Sequence, residues 1–189
     1  MIASTSPTPI RDYRAALAAT GLMDRLAGFD PHVVGTPPLG LDLAGSDIDI
    51  DIVCHAREPE AVARLMWDEF RREQHFRLWQ WRKDGRPVVA SFTAAGWPFE
   101  VFAAPCPVAG QAGWRHFRVE QRLLALGGDG LRAAVMARRQ AGLKTEPAFA
   151  AVLGLAGNPH AAMLALFEQD DAALAGLLAQ AGLDTAIKE

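Results

Sequence analysis

From Asp47 to Ile52 the chain alternates aspartate with isoleucine. In a β-strand successive side chains point to opposite faces. Asp47, Asp49 and Asp51 therefore share one face, and Ile48, Ile50 and Ile52 the other. Aspartate is disfavoured in strands, and three carboxylates on one face repel one another. A divalent cation is the simplest partner that makes the arrangement tolerable. The alternative is an exposed edge strand whose acidic residues block edge-to-edge pairing. For Asp51 alone, a solvated or supporting position is a further alternative.

The segments around this strand read as follows. Thr8-Pro9 is a helix-start signal, and Ile10, Tyr13 and Leu17 keep helical spacing until Gly21, with a short helix expected over residues 22–26. Residues 32–36 are expected as the first strand and 47–53 as the second. Pro59 opens a helix with Val62, Leu65, Met66 and Phe70 on one stripe. Strands are expected over 76–82, 87–93 and 97–103, with Asp84-Gly85 and Gly96 at the turns. Pro105 and Pro107 end the sheet, and from Gly113 onward the spacing is helical only. The expected class is α/β in the broad sense (α+β), a mixed sheet of about five strands with flanking helices. Residues 1–108 form its core, and residues 109–189 a helical C-terminal region packed on it, within one continuous domain or as a second one.

The loop before the acidic strand carries a further pattern: Gly35-Thr36, Gly40, then Ser46-Asp47-Ile48-Asp49-Ile50. This order resembles the nucleotidyltransferase superfamily, the polymerase-β-like fold, which reads Gly-Ser, three residues, Gly, five residues, then Ser-Asp-hydrophobic-Asp-hydrophobic. No gap is needed to match it. Thr36 replaces the serine, Leu39 stands where an arginine often sits, and Pro37-Pro38 stiffen the turn. The chain also looks like a bacterial family of nucleotidyltransferase-like proteins of unknown function.

The resemblance implies a Mg²⁺ (or Mn²⁺) site built on Asp47 and Asp49, with Glu100 as third carboxylate and proton acceptor and Asp51 as a further metal-site candidate. It implies that Gly35, Thr36, Gly40 and Ser46 position the phosphates of a nucleoside triphosphate. Glu100 lies in the otherwise apolar run Trp97 to Phe102, where a carboxylate is rarely left unpaired. Its rival role is a salt bridge to an arginine, and the two glycines have a rival role as turn formers. Arg115 and His116, on the first helix after the sheet, are candidates for phosphate contact. Lys144-Thr145 is a helix-start signal first and a ligand candidate second.

Other chemistry is excluded or subordinate. A net charge of −3 and a pI near 5.9 give no global attraction to nucleic acid, which is disfavoured as a partner without being excluded. Arg77, Arg82 and Arg86 interleave with Trp79 and Trp81, read as a strand with one solvated face before a stacking platform. No apolar run reaches the length of a membrane span, and residues 1–9 lack a signal-peptide pattern. Two cysteines make no disulfide framework, so the expected location is cytoplasmic. No zinc-ligand cluster, Walker loop or GxSxG elbow is present. The expected function is transfer of a nucleoside monophosphate, from ATP, to a hydroxyl of an unidentified acceptor. Acceptors among similar proteins include antibiotics, tRNA ends and protein side chains. The rival is a non-catalytic nucleotide sensor or antitoxin-like partner-binding protein of the same fold. Nothing in the residues speaks to oligomeric state.

Overall fold

The computed structural model describes residues 12–43 and 48–185. The candidates Ser46 and Asp47, and the helix start at Thr8-Pro9, lie outside the described residues. Asp12 caps α1 (Tyr13–Thr20) by accepting the Arg14 N–H at 2.9 Å. Gly21, at φ 60°, ends it, and α2 (Leu22–Arg25) follows. Then come β1 (His32–Val34), a 3-10 turn over Pro37–Leu39, β2 (Ile50–His55) and α3 (Pro59–Phe70). A three-strand meander, β3 (Gln74–Gln80), β4 (Val88–Ala94) and β5 (Trp97–Ala104), completes the sheet. Helices α4 (Ala112–Gln140), α5 (Thr145–Val152), α6 (Pro159–Ala165) and α7 (Asp171–Gln180) make up the rest.

The strands lie in the order β1-β2-β5-β4-β3, with β2 parallel to β5 and every other pair antiparallel. The sheet is therefore mixed and five-stranded, as expected. The two strand boundaries that flank the loop before the acidic run differ from expectation, and others shift by one or two residues. Strand β1 stops at Val34 because Gly35, at φ 78°, and Thr36, in the right-handed helical region, turn the chain into the 3-10 turn. Strand β2 begins at Ile50, the first residue to pair with β5, so Asp49 precedes the ladder.

Alternation along β2 and β5 separates two cores. Ile50, Ile52, Cys54, Phe99, Val101 and Ala103 face α1, α2 and α3, packing with Leu22, Val62, Met66 and Phe70. The centre of that layer is aromatic: Phe92 stacks on Phe99 with centroids 5.0 Å apart, and Phe70 on Phe92 at 4.8 Å. On the other face, Val34, Val53 and Phe102 meet Phe117, Leu123, Leu131, Phe149 and Leu178 of the later helices. The polar residues Asp51 and Glu100 belong to this second face, where they line a cleft together with residues of α4 and α5.

Helix α4 is broken at Gly128, whose φ 53° and ψ −146° leave the helical region. The break separates a first half that carries Trp114 and Phe117 from a second that carries Leu131 and Arg139. No described helix is long and apolar enough to cross a membrane.

Candidate functional site

The β2–β5 register sets the site. Asp51 is the direct partner of Glu100, one strand spacing away, and both side chains point to the same face. Phe99 and Val101 are 1% and 0% exposed on the far face, so the strand cannot slip by one residue without burying Glu100 among apolar side chains. Across the other edge of β2, Val34 pairs with Asp51, which lays the Asp51 carboxylate over Gly35. A Cβ on Gly35 would overlap Asp51 Oδ2. Gly35 is required twice, for its positive φ and for this approach.

Charge is concentrated here. Burial, then Asp49, Glu100 and Glu146, push the Asp51 carboxyl up to about 8. Burial, then Asp49, also raises the Glu100 carboxyl. Asp49 raises both Asp51 and Glu100, so the three carboxylates form one electrostatic unit. The sequence register put the metal pair at Asp47 and Asp49. The structure brings Asp49 and Asp51 together with Glu100, and Asp47 lies outside the described residues. Glu100 is raised rather than lowered, as an arginine salt bridge would not make it.

Two clefts meet at this unit, sharing Gly35, Asp51, Glu120 and Glu146 in their walls. The smaller, about 390 Å³, adds Thr36, Asp49, Arg139, Lys144 and Thr145. The hydroxyls of Thr36 and Thr145 lie 2.8 Å apart, and Arg139 donates to the Thr145 hydroxyl. Arg139 is only 7% exposed, its Nε has no partner, and burial lowers its pKa. Hydroxyls and two cations beside a carboxylate unit form a setting for phosphate groups and the metal that accompanies them. The larger cleft, about 550 Å³, lies between β2, β5 and the N-terminal half of α4. It contains His116, whose pKa burial lowers, and Glu120, which burial holds well above the usual carboxylate range.

Other sequence candidates fall elsewhere. Arg115 lines neither cleft: it donates to the Ala109 carbonyl at 3.1 Å, approaches Glu168 at 3.7 Å and lies over the Phe167 ring. Gly40, at φ 65°, closes the turn after β1, where Arg132 holds the Leu39 and Gly40 carbonyls at 2.7 and 3.2 Å. Leu39 packs into the core at 6% exposure. Sequence reasoning passed over Arg139 and Glu120 as site residues. Each sits on a helix with ordinary polar neighbours, and only burial sets them apart.

No group of three or more His, Cys, Asp or Glu among the described residues is arranged to hold a metal ion. Mg²⁺ does not need one, because it takes one or two protein carboxylates and completes its octahedron with phosphate oxygens and water. Asp51 and Glu100, both raised by burial and by Asp49, are donors that a hard cation relieves, so one or two carboxylates of this unit fit it.

Comparison with known proteins gives the fold a wider setting. The Cid1 poly(U) polymerase with MgGTP bound is similar, with a TM-score of 0.56 and 16% identity over 75% of this chain and 48% of that one. A second Cid1 structure, described by its RNA terminal uridylyl transferase activity, has a TM-score of 0.56 and 16% identity, covering 74% and 45%. The GLD-2/RNP-8 complex has a TM-score of 0.49 and 13% identity, covering 87% and 71%. The chain spans about half the length of the Cid1 chains it matches. What it shares with Cid1 is the nucleotidyltransferase, or polymerase-β-like, fold. No curated protein matches the sequence. A family model described as a domain of unknown function (DUF4269) matches residues 15–166.

Proposed function

The chain belongs to the DUF4269 family and has the nucleotidyltransferase fold, and from that premise we propose that it is a divalent-metal-dependent nucleotidyltransferase. The observation that carries this reading is the Asp51–Glu100 pairing across β2 and β5, within reach of Asp49 and directly over Gly35. In the reaction, an acceptor hydroxyl oxygen bonds to the α-phosphorus of a nucleoside triphosphate, ATP in the first instance. The α–β phosphoanhydride bond breaks, pyrophosphate leaves, and the hydroxyl proton passes to a site carboxylate. Glu100, raised above the ordinary carboxylate value by burial and by Asp49, is the group suited to take that proton. Asp49 and Asp51 would hold Mg²⁺ or Mn²⁺, which neutralises developing charge and aligns the two oxygens. Thr36, Thr145, Arg139 and Lys144 would hold the phosphates in the smaller cleft. Arg139 and Lys144 supply the positive charge that Leu39 does not.

The test is binding of Mg·ATP followed by transfer from α-labelled ATP to acceptor pools. Binding that needs the metal, together with a labelled non-nucleotide product, supports the reading. A protein that ignores Mg·ATP at millimolar concentration overturns it. The non-catalytic alternative, a nucleotide sensor or partner-binding module, draws on Leu39 being packed into the core of the phosphate-side turn. It predicts Mg·ATP binding with no labelled product from any acceptor.

A further inference from the structure

The larger cleft has a chemistry that nucleotide binding does not use. Among the described residues lining it are five carboxylates, Asp51, Asp84, Glu100, Glu120 and Glu146, and no lysine or arginine. Asp51 and Glu100 are taken up by metal binding and proton transfer in the proposed reaction, which leaves three acidic side chains on the remaining wall. A second observation is independent of charge. Glu120 is 3% exposed, and its Oε1 has no hydrogen-bond partner. Gln111, at 4% exposure, spends its Nε2 on the carbonyls of Cys54 and Cys106 at 2.8 and 3.2 Å, so its unpartnered Oε1 is an acceptor. His116 Nδ1 is also buried and unpartnered.

These three atoms stand along one stretch of chain, from the N-cap of α4 to its third turn, and all three residues line the same cleft. Buried polar atoms left without a hydrogen-bond partner are costly, and native proteins keep few of them. The rest of the wall is mostly apolar and includes three aromatic rings. Trp81 packs edge-on to Phe102 with centroids 5.5 Å apart, and Phe117 faces them from α4. Aromatic faces beside carboxylates suit a cation with an apolar body.

We propose that this cleft holds the acceptor, and that the acceptor is a small hydroxylated amine rather than a polynucleotide. Its ammonium group donates to Glu120, Glu146 and the Gln111 oxygen. Its apolar body lies against Trp81, Phe102 and Phe117, and its hydroxyl is delivered to the Asp51–Glu100 edge shared with the smaller cleft. The amine nitrogen does not react. The oxygen–phosphorus bond forms and pyrophosphate leaves as above, so the inference rests on the nucleotidyltransferase reading of the smaller cleft. A polynucleotide acceptor would bring phosphates against acidic walls with no cation to receive them.

The test uses the full chain and two separate titrations. In the first, Mg·ATP binding is measured by calorimetry. In the second, tyramine and glucosamine are titrated with and without Mg·ATP, each beside a neutral counterpart: tyrosol and glucose. A 15-nucleotide poly(U) RNA is the alternative ligand. At least one amine is expected to bind tenfold or more tightly than its counterpart, with the preference lost in both Glu120→Gln and Glu146→Gln. Circular dichroism and thermal unfolding confirm that both variants remain folded. If Mg·ATP binds but every amine binds no better than its counterpart, or the RNA outcompetes them, this inference is overturned while the proposed function stands. If an amine binds selectively but Mg·ATP does not, the function is overturned and the cation selectivity of the cleft is upheld.

Discussion

The carboxylate of Asp51 lies directly over the Cα of Gly35, closer than any side chain on Gly35 would permit. The contact joins the turn after β1 to the acidic strand at the point where both clefts meet. Gly35→Ala therefore has two costs, the positive φ and displacement of the Asp51 side chain. The backbone cost alone is about 1–3 kcal/mol. Urea denaturation should show a loss of at least that size, and Mg·ATP affinity should fall at least tenfold in the protein that remains folded. A variant as stable as wild type would contradict the geometry.

The two registers of the acidic run make opposite predictions. With the metal on Asp49 and Asp51, Asp51→Asn abolishes nucleotidyl transfer while Asp47→Asn leaves most of it. With the metal on Asp47 and Asp49, the order reverses. Glu100→Gln should lower kcat by about 10²–10⁴-fold with a smaller change in nucleotide KM, as loss of a general base does. Steady-state kinetics on the three variants separates the cases.

Asp51 also makes stability depend on pH. Burial, then the neighbouring carboxylates, raises its folded carboxyl from the ordinary carboxylate range to about 8. Its contribution is therefore fully present below about pH 4 and is lost as pH rises through about 8. Thermal unfolding of the metal-free protein should show decreasing stability across that window. Asp51→Asn should flatten the profile and be more stable at pH 8 by roughly 2 kcal/mol, less than the full shift would give because the carboxyl is not wholly buried. Added Mg²⁺ should restore wild-type stability at pH 8, by binding only the folded state, without helping the variant. A profile that is flat in wild type would remove Asp51 from the charged unit.

On the phosphate side, Arg139→Met removes the donor to Thr145 and the buried cation of the smaller cleft. Nucleotide affinity should drop ten- to a hundredfold, roughly 1.4–2.8 kcal/mol. Thr145→Val, which keeps shape and loses the hydroxyl bridge to Thr36, should cost less. Equal affinity in wild type and Arg139→Met would place the triphosphate elsewhere.

The aromatic layer gives a control far from the chemistry. Phe99 is 1% exposed and stacked on Phe92 at an interplanar angle of 4°. Phe99→Ala should cost about 3–5 kcal/mol by chemical denaturation, and Phe99→Leu much less. Because Phe99 neighbours Glu100 on the opposite face, the leucine variant should keep its Mg·ATP affinity.

Much of this protein was determined along the chain itself. Period-two alternation over Ile48 to Val53 and Phe99 to Phe102 assigns each side chain to a face without any tertiary knowledge, because a pleated strand permits only two. The meander with turns at Asp84-Gly85 and Gly96, and helices without strands after Gly113, followed from local patterning for the same reason. Tertiary structure decided what lies across a gap in sequence. The pairing of Asp51 with Glu100 depends on which strands adjoin and in what register, and the 48 intervening residues carry no local trace of either. Arg139, Glu120 and Gln111 look like ordinary polar helix residues, and only packing against the sheet removes them from water. Desolvation is a property of the surroundings, so a buried charge or an orphaned acceptor becomes visible only when the neighbours are in place.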